Sequence, residues 1–301
     1  MTRAVTLGEG LAVLRTDQLG SLAQLPLLHV GTGGAEGNVA IGLARLGVPV
    51  TWLGRVGNDG LGVRVARELR AEGVDVVALV DEDAATGLLL KESPRPGATA
   101  VTYYRAGSAG SRLSPADLSS ITLRTGDILH LTGITPALSA SARDTVFAAL
   151  DLAESVGATI SYDVNQRSKL WSATEAAPVH EAIASRADLV FASDDELALL
   201  GAVEPRELVV TRGAAGAETR TREGVVSQAA IPLPTVVDTV GAGDAFVAGY
   251  LAEVVAASSI AQRLLTAVQT GAAACLHPGD WEGAATRADL ARSASADPVA
   301  R

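Results

Sequence analysis

Lysine is almost absent from this chain: among its 24 basic residues only Lys91 and Lys169 are lysines. Neither follows a glycine loop, which excludes a Walker A nucleotide site, whose loop ends in Gly-Lys-Ser/Thr. A single cysteine, Cys275, excludes an intramolecular disulfide and a cysteine-based metal cluster. His29, His130, His180 and His277 lack metal-ligand spacing, and His130 reads as a packed strand-end residue. Aromatic residues make up only 3%, so Ala, Val and Leu must pack the core that 48% hydrophobic content provides. No apolar run approaches the roughly 20 residues of a membrane span, and Met1–Thr6 has no apolar signal-peptide core. A net charge of −10 argues against nucleic acid as a partner. These absences lead to the expectation of a soluble cytoplasmic protein that engages neither membrane nor nucleic acid.

Apolar runs alternating with amphipathic stretches give a coarse element map. Strands are expected at Arg3–Gly8, Val50–Val56, Val76–Val80, Ile128–Leu131, Thr159–Asp163, Leu189–Ala192 and Glu207–Thr211, with Leu11–Leu14 continuing the first. Helices are expected at 35–46, 61–72, 139–155, 175–185, 244–257 and 259–274, with Gly47 and Gly73 as C-terminal stops. Strands separated by helices imply an α/β fold with a doubly wound, mostly parallel sheet. Residues 86–105 break the pattern, reading as a β-hairpin around a Pro-Gly turn at 94–97. With strands near 11–15 and 25–30 it would form a small β-sheet lid on one domain spanning 1–301, and 217–227 a further hairpin. Only 293–301 looks frayed.

Two glycine clusters carry the chemistry. In Asp238-Thr-Val-Gly-Ala-Gly-Asp244-Ala-Phe246 a small-residue turn runs straight into an apolar helix. Backbone N–H groups at such a start point outward, and the helix dipole favours an anion there. Asp244 within the same cradle suggests phosphoryl transfer to a hydroxyl, the amides holding the phosphate while Asp244 takes the proton. Its place in the first helical turn is expected to keep it ionised. The second cluster, Gly31-Thr-Gly-Gly34-Ala-Glu-Gly-Asn38, opens the helix carrying Val39, Leu43 and Leu46. No G-x-G-x-x-G follows the first strand, which speaks against a Rossmann oxidoreductase.

In their order, and at a separation of about 200 residues, the two segments resemble the paired signatures of the PfkB family of carbohydrate kinases, which have the ribokinase-like fold. Gly34–Asn38, Tyr103–Ala109, His130–Ile134, Asp163-Val-Asn-Gln-Arg167 and Gly279–Gly283 are similar to the 2-keto-3-deoxygluconate kinases of that family. The resemblance implies ATP and Mg²⁺ as cofactors and phosphorylation of the 6-hydroxyl of a sugar acid. It places Tyr103, Arg105 and Arg167 on the substrate, Gly34 and Asn38 on its hydroxyl side, and Asp280 at the far end, with Asp244 as catalytic base. Arginine suits a carboxylate because its planar fork can bind both oxygens.

By the same resemblance the nucleotide falls to Asn165, Arg167, Ser193, Thr211, Gly213 and Gly216, and to the cradle of Gly241, Ala242 and Gly243, with Glu196 serving Mg²⁺. Ser193 stands where relatives carry Asn, Leu89 where a substrate-binding tyrosine is expected, and Val268 where an asparagine often lies near the adenine. The family also implies pairing of lids into a homodimer or higher homo-oligomer. Two alternatives stay open: a fructokinase- or ribokinase-like enzyme for a neutral sugar, for which Glu9 is the candidate anchor, and a non-catalytic nucleotide or sugar sensor on the same fold.

Overall fold

The computed structural model describes residues 2–24, 26–95 and 98–294. Leu25, the Pro96-Gly97 tip of the expected hairpin, and 295–301 of the expected frayed end lie outside the described residues. The chain runs β1 (Ala4–Leu7), β2 (Leu11–Leu19), β3 (His29–Gly33), α1 (Ala35–Arg45), β4 (Val50–Gly57), α2 (Gly60–Ala71) and β5 (Asp75–Asp81). The hairpin strands β6 (Gly87–Arg95) and β7 (Ala98–Tyr104) follow. Alternation then resumes with β8 (Ile128–Thr132), α3 (Thr135–Leu138), α4 (Ala140–Val156), β9 (Thr159–Asp163), α5 (Ala173–Ala184) and β10 (Leu189–Ser193). β11 (Glu207–Thr211), β12 (Ala217–Thr221), β13 (Gly224–Gln228), α6 (Ala242–Val255), α7 (Ile260–Ala274) and α8 (Arg287–Ala294) complete it.

Among the described residues the strands form a nine-stranded sheet, ordered β13-β12-β11-β10-β9-β8-β1-β4-β5, and a four-stranded sheet, β3-β2-β6-β7. In the large sheet the β11–β12 and β12–β13 ladders are antiparallel and every other ladder is parallel. β1 lies between β4 and β8, so successive connections leave it in opposite directions. That reversal opens a crevice at the carboxyl ends of β1, β8 and β9, the usual ligand position in such sheets.

Side chains alternate across each strand, so both faces bury apolar groups. Ala4 joins one cluster with Trp52, Leu43, Phe246, Tyr250 and Leu264, while Val5 and Leu7 join Leu53, Leu129, Leu131, Val146 and Leu150 on the other face. Every residue of α6 from Asp244 to Glu253 is buried, which is why its sequence shows no polar stripe. Close approach by its neighbours explains this. A Cβ on Gly42 of α1 would lie 2.6 Å from the Ala248 Cβ, and one on Gly249 would lie 3.0 Å from the Ala267 backbone of α7.

Two elements differ from expectation. Leu11–Leu19 leaves the main sheet rather than extending β1 as expected of Leu11–Leu14, and takes the lid place expected near 11–15, pairing with β3 and β6 in the small sheet. The Gly8-Glu9-Gly10 break turns the chain, and a Cβ on Gly8 would lie 2.2 Å from the Glu36 carboxyl. The partner strand runs His29–Gly33, later than 25–30, and so takes in the first glycines of the second cluster. Pro26 has no N–H to donate to a ladder. The short α8 escaped the periodicity.

The helix contacts make a direct prediction. Gly249→Val should cost about 1–3 kcal/mol by overpacking, read as a lowered denaturant midpoint at unchanged slope. A Cβ on Gly60, at the start of α2, meets nothing within 4 Å, so Gly60→Ala should be neutral or slightly stabilising.

Candidate active site

A cavity of about 500 Å³ lies between the carboxyl ends of the large sheet and the inner face of the small one. The lid contributes Leu89, Lys91, Tyr103 and Arg105 to its wall, in line with alternation that puts Leu89 and Lys91 on one face of β6. Gly34, Asn38, Asp244 and Asp280 line it from below, and Asn165, Arg167, Ser193, Glu196 and Thr211 from one side. Gly241 and Gly243 line it too, whereas Ala242, Gly213, Gly216 and Val268 do not. Gly213–Ala215 is a single tight turn, and Val268 is packed in the core on α7.

The turn before α6 is fixed by backbone contact. Gly241 is the N-cap at φ 75°, and a Cβ there would sit 1.8 Å from the Asp280 carbonyl oxygen. Only glycine meets both demands. The Ala242 N–H donates to the Thr239 carbonyl at 3.3 Å, which removes it from the anion cradle expected of it. The N–H groups of Gly243 and Asp244 remain in the first turn, where no helical carbonyl is available to them.

Asp244 is buried, and the Asn38 amide donates to its Oδ2 at 2.7 Å. Burial pushes its carboxyl up to about 7; the Asn38 hydrogen bond and the Arg167 charge oppose that rise, while Asp280 and Glu36 reinforce it. The expectation that the helix start keeps it ionised is therefore corrected: desolvation outweighs the dipole. Such a value suits a base operating near neutrality.

Asp163, at the carboxyl end of β9, is raised further, to about 8, by burial and by Glu196 and Asp244, against the pull of Arg167 and the Asn165 hydrogen bond. Asn165, in the left-handed region at φ 41°, donates to Asp163 at 2.9 Å. Glu196 is a capping residue: its carboxylate accepts from the Ser193 N–H at 2.8 Å, the Ser193 hydroxyl at 2.9 Å and the Gln166 N–H at 2.6 Å. Glu36 lies deeper, accepting at 2.7 Å from both Thr132 and Thr135.

On the lid side, Arg105 is not a free cation. Its Nε donates to buried Glu9 at 2.7 Å, its Nη2 pairs with the same oxygen, and its guanidinium lies 5.2 Å from the Tyr103 ring centre. Ser108 also donates to Glu9. Gly34 must be glycine, since its φ is 125° and a Cβ would lie 2.2 Å from the Glu9 carbonyl. Arg167 is exposed at the cavity edge and pairs with no carboxylate among the described residues. Lys91 pairs with Asp238 at the head of the glycine turn. Asp280 is pushed up to about 6 by burial, with Lys91 opposing. The sequence reading assigned no role to Asp163 or Lys91. Position at a strand's carboxyl end was the signal available for Asp163, and lysine scarcity the one for Lys91.

Comparison with known proteins agrees with this geometry. The model of the pfkB family carbohydrate kinases matches residues 1–287. The chain is 36% identical to the 2-dehydro-3-deoxygluconokinase of Bacillus subtilis (strain 168) over 312 aligned positions, covering 97% of this chain and 95% of that one. It is 34% identical to the fructokinase of Klebsiella pneumoniae over 310 positions, covering 95% and 97%. The fructokinase of Vibrio cholerae O395, solved in fructose, ADP and calcium ion bound form, superposes with a TM-score of 0.86 at 28% identity, covering 97% of this chain and 98% of that one. The chain belongs to the pfkB family of carbohydrate kinases, with the ribokinase-like fold, and is a sugar kinase, a phosphotransferase with an alcohol group as acceptor.

The clustered carboxyls set a pH dependence of stability. Folding raises Asp280, Asp244 and Asp163 to about 6, 7 and 8 from 3.8. The stability their protonated forms contribute is complete below the unfolded value and is lost as pH climbs through the folded ones. The denaturant midpoint of the ligand-free protein should therefore fall from about pH 5 to about pH 8.5. Asp163→Asn should flatten that decline.

Proposed function

We propose that this sugar kinase transfers the γ-phosphoryl group of ATP to the terminal (6-) hydroxyl of 2-keto-3-deoxygluconate or a close sugar acid. One observation carries a polyhydroxylated ligand. Asn38 Oδ1 and Asp280 Oδ1 are buried acceptors without a hydrogen-bond partner among the described residues, and both residues line the cavity. Buried polar atoms are rarely left unsatisfied, and sugar hydroxyls are the donors that fit. The acid is supported by Arg167, which pairs with no carboxylate among the described residues, by Arg105 in the cavity wall, and by the name of the Bacillus relative.

In this reading Gly34, Asn38, Tyr103 and Asp280 hold the sugar, with Arg105 and Arg167 on its carboxylate. Thr211, Gly213, Gly216, Ser193, Asn165 and Arg167 hold the nucleotide, with Gly241, Ala242 and Gly243 shaping the turn beneath its phosphates. Asp163 and Glu196 both line the cavity, and carboxylates of this kind would hold a hydrated divalent cation. Bound there with ATP, Mg²⁺ would supply charge neutralisation of the phosphates. Asp244 takes the proton of the attacking hydroxyl, whose oxygen forms the new bond to the γ-phosphorus as the bond to the bridging oxygen of ADP breaks. The N–H groups of Gly243 and Asp244 face the charge that develops on the transferring group.

A neutral sugar is the second reading, favoured by Glu9. That carboxylate neutralises Arg105 inside the pocket and is itself an acceptor for sugar hydroxyls. The outer face of the lid points to assembly. Leu14 pairs with Val30 and Leu90, and Leu88 with Tyr104, so these side chains form one apolar surface on which Val30 is 36% and Tyr104 62% exposed. Such a sheet face is ordinarily covered, and a homodimer or higher homo-oligomer through the lids would cover it.

A coupled assay over ketonic acids and neutral sugars tests the substrate. Asp244→Asn should lower kcat roughly 10²–10⁴-fold with nucleotide binding retained. Glu9→Gln combined with Arg105→Gln removes both buried charges together and leaves neither unpaired. It should raise KM for 2-keto-3-deoxygluconate about 10–100-fold and change that for fructose little. Equal loss on both sugars would favour the neutral-sugar reading. Sedimentation at tens of micromolar should show a dimer or larger species, and Tyr104→Asp should shift it towards monomer.

A further inference from the structure

The chain's two lysines grip the same rung of the lid. Lys91 of β6 lies directly opposite Val101 of β7. From that rung Lys91 reaches down to Asp238, and the only other lysine, Lys169, reaches up from the body to donate to the Val101 carbonyl at 2.5 Å. Asp238 is itself a junction. Its Oδ1 accepts from the Val240 N–H at 3.2 Å within the glycine turn, and its Oδ2 accepts from the Gly279 N–H at 3.4 Å, one residue before Asp280. Lys169 stands two residues after Arg167, in the loop that follows β9.

We infer that Lys91 is a positioning residue: by clasping Asp238 it couples lid closure to the placement of the glycine turn and of the Asp280 loop. The inference rests on the phosphotransfer assigned above and adds to it a residue that need not touch the reacting atoms. The pair is nearly dry, with side-chain exposures of 9% for Lys91 and 12% for Asp238. An ion pair so enclosed is not screened as a surface pair is, and removing one partner strands the other. The turn that Asp238 holds leads within three residues to Gly241, whose backbone abuts the Asp280 carbonyl. Losing the clasp would therefore let the phosphate-facing N–H groups and Asp280 drift together. Lys169 closes the same rung from the opposite side, so a shut lid also restrains the loop of Arg167. Ion pairs such as Arg105–Glu9, Arg55–Asp117 and Arg263–Glu207 use arginine; at these two points a slim side chain ends in a single tetrahedral donor.

The test uses full-length protein carrying Lys91→Met, similar in length but uncharged, and Lys91→Arg. Misplacement of the glycine turn and of Asp280 predicts that Lys91→Met lowers kcat about 10–100-fold, with any rise in KM the same for acidic and neutral sugars. Lys91→Arg should recover most of the rate, and the melting transition will show that both variants fold. An unchanged kcat, or a KM effect confined to acidic sugars, would overturn the inference; the latter would make Lys91 a carboxylate ligand. A second readout needs no turnover. With only two lysines, mass spectrometry after limited reductive methylation resolves each one. Asp238→Asn should speed labelling of Lys91 severalfold and leave Lys169 unchanged, and equal rates at Lys91 with and without the substitution would count against the clasp. Were the wild-type protein to phosphorylate no sugar, the functional reading would fall while the labelling contrast still reported on the ion pair.

Discussion

Everything at this site depends on how closely the start of helix α6 can approach its neighbours. Gly241 admits the Asp280 backbone, Gly42 admits Ala248, and Gly249 admits α7, so the helix is held on three sides by contacts that a single methyl group would break. That immobility lets a buried carboxylate be aimed. Asp244 is fixed by its helix, and Asn38 by α1 packed against it, so their 2.7 Å hydrogen bond follows from core packing rather than from a mobile loop. The site inherits its accuracy from the least reactive part of the molecule.

The same burial sets the chemistry. A carboxylate in the first turn of a helix is ordinarily stabilised by the dipole, yet here desolvation is the larger effect and lifts Asp244 to about 7. Asp163, Glu196, Asp244 and Asp280 line one cavity, where burial first and neighbouring carboxylates second raise Asp163 and Asp244. A site poised in this way is short of positive charge, which a divalent cation arriving with the nucleotide would relieve. The strain of carrying these groups is the ordinary cost of a site whose carboxyls titrate near neutrality.

The elements of the large sheet were legible because their residues obey short periods: strands such as Thr159–Asp163 and helices such as Ala140–Val156 lie where alternation and capping put them. Leu11–Leu19 was assigned both to the first strand's continuation and to the lid, since a run of apolar residues does not say which sheet it joins. The glycine turn was legible through its chemistry. What the sequence could not reveal is which charges cancel. Glu9 and Arg105 stand 96 residues apart, and Lys91 and Asp238 stand 147 apart. A free cation and a neutralised one look identical along the chain, so Arg105 read as free when it is already paired.

That pairing reframes how the pocket discriminates. A buried arginine locked to a glutamate at 2.7 Å presents a directional donor rather than a bare charge. Its guanidinium lies over the Tyr103 ring, and both residues line the cavity beside Glu9. In the proposed reading, discrimination between acid and neutral sugar would come from the difference between these two paired charges, not from the presence of arginine alone. Leu89, where a tyrosine was expected, removes a hydroxyl from the same wall and places weight on this pair. In that reading the choice of sugar would be made where a few lid side chains meet the end of β1, away from the base and the glycine turn.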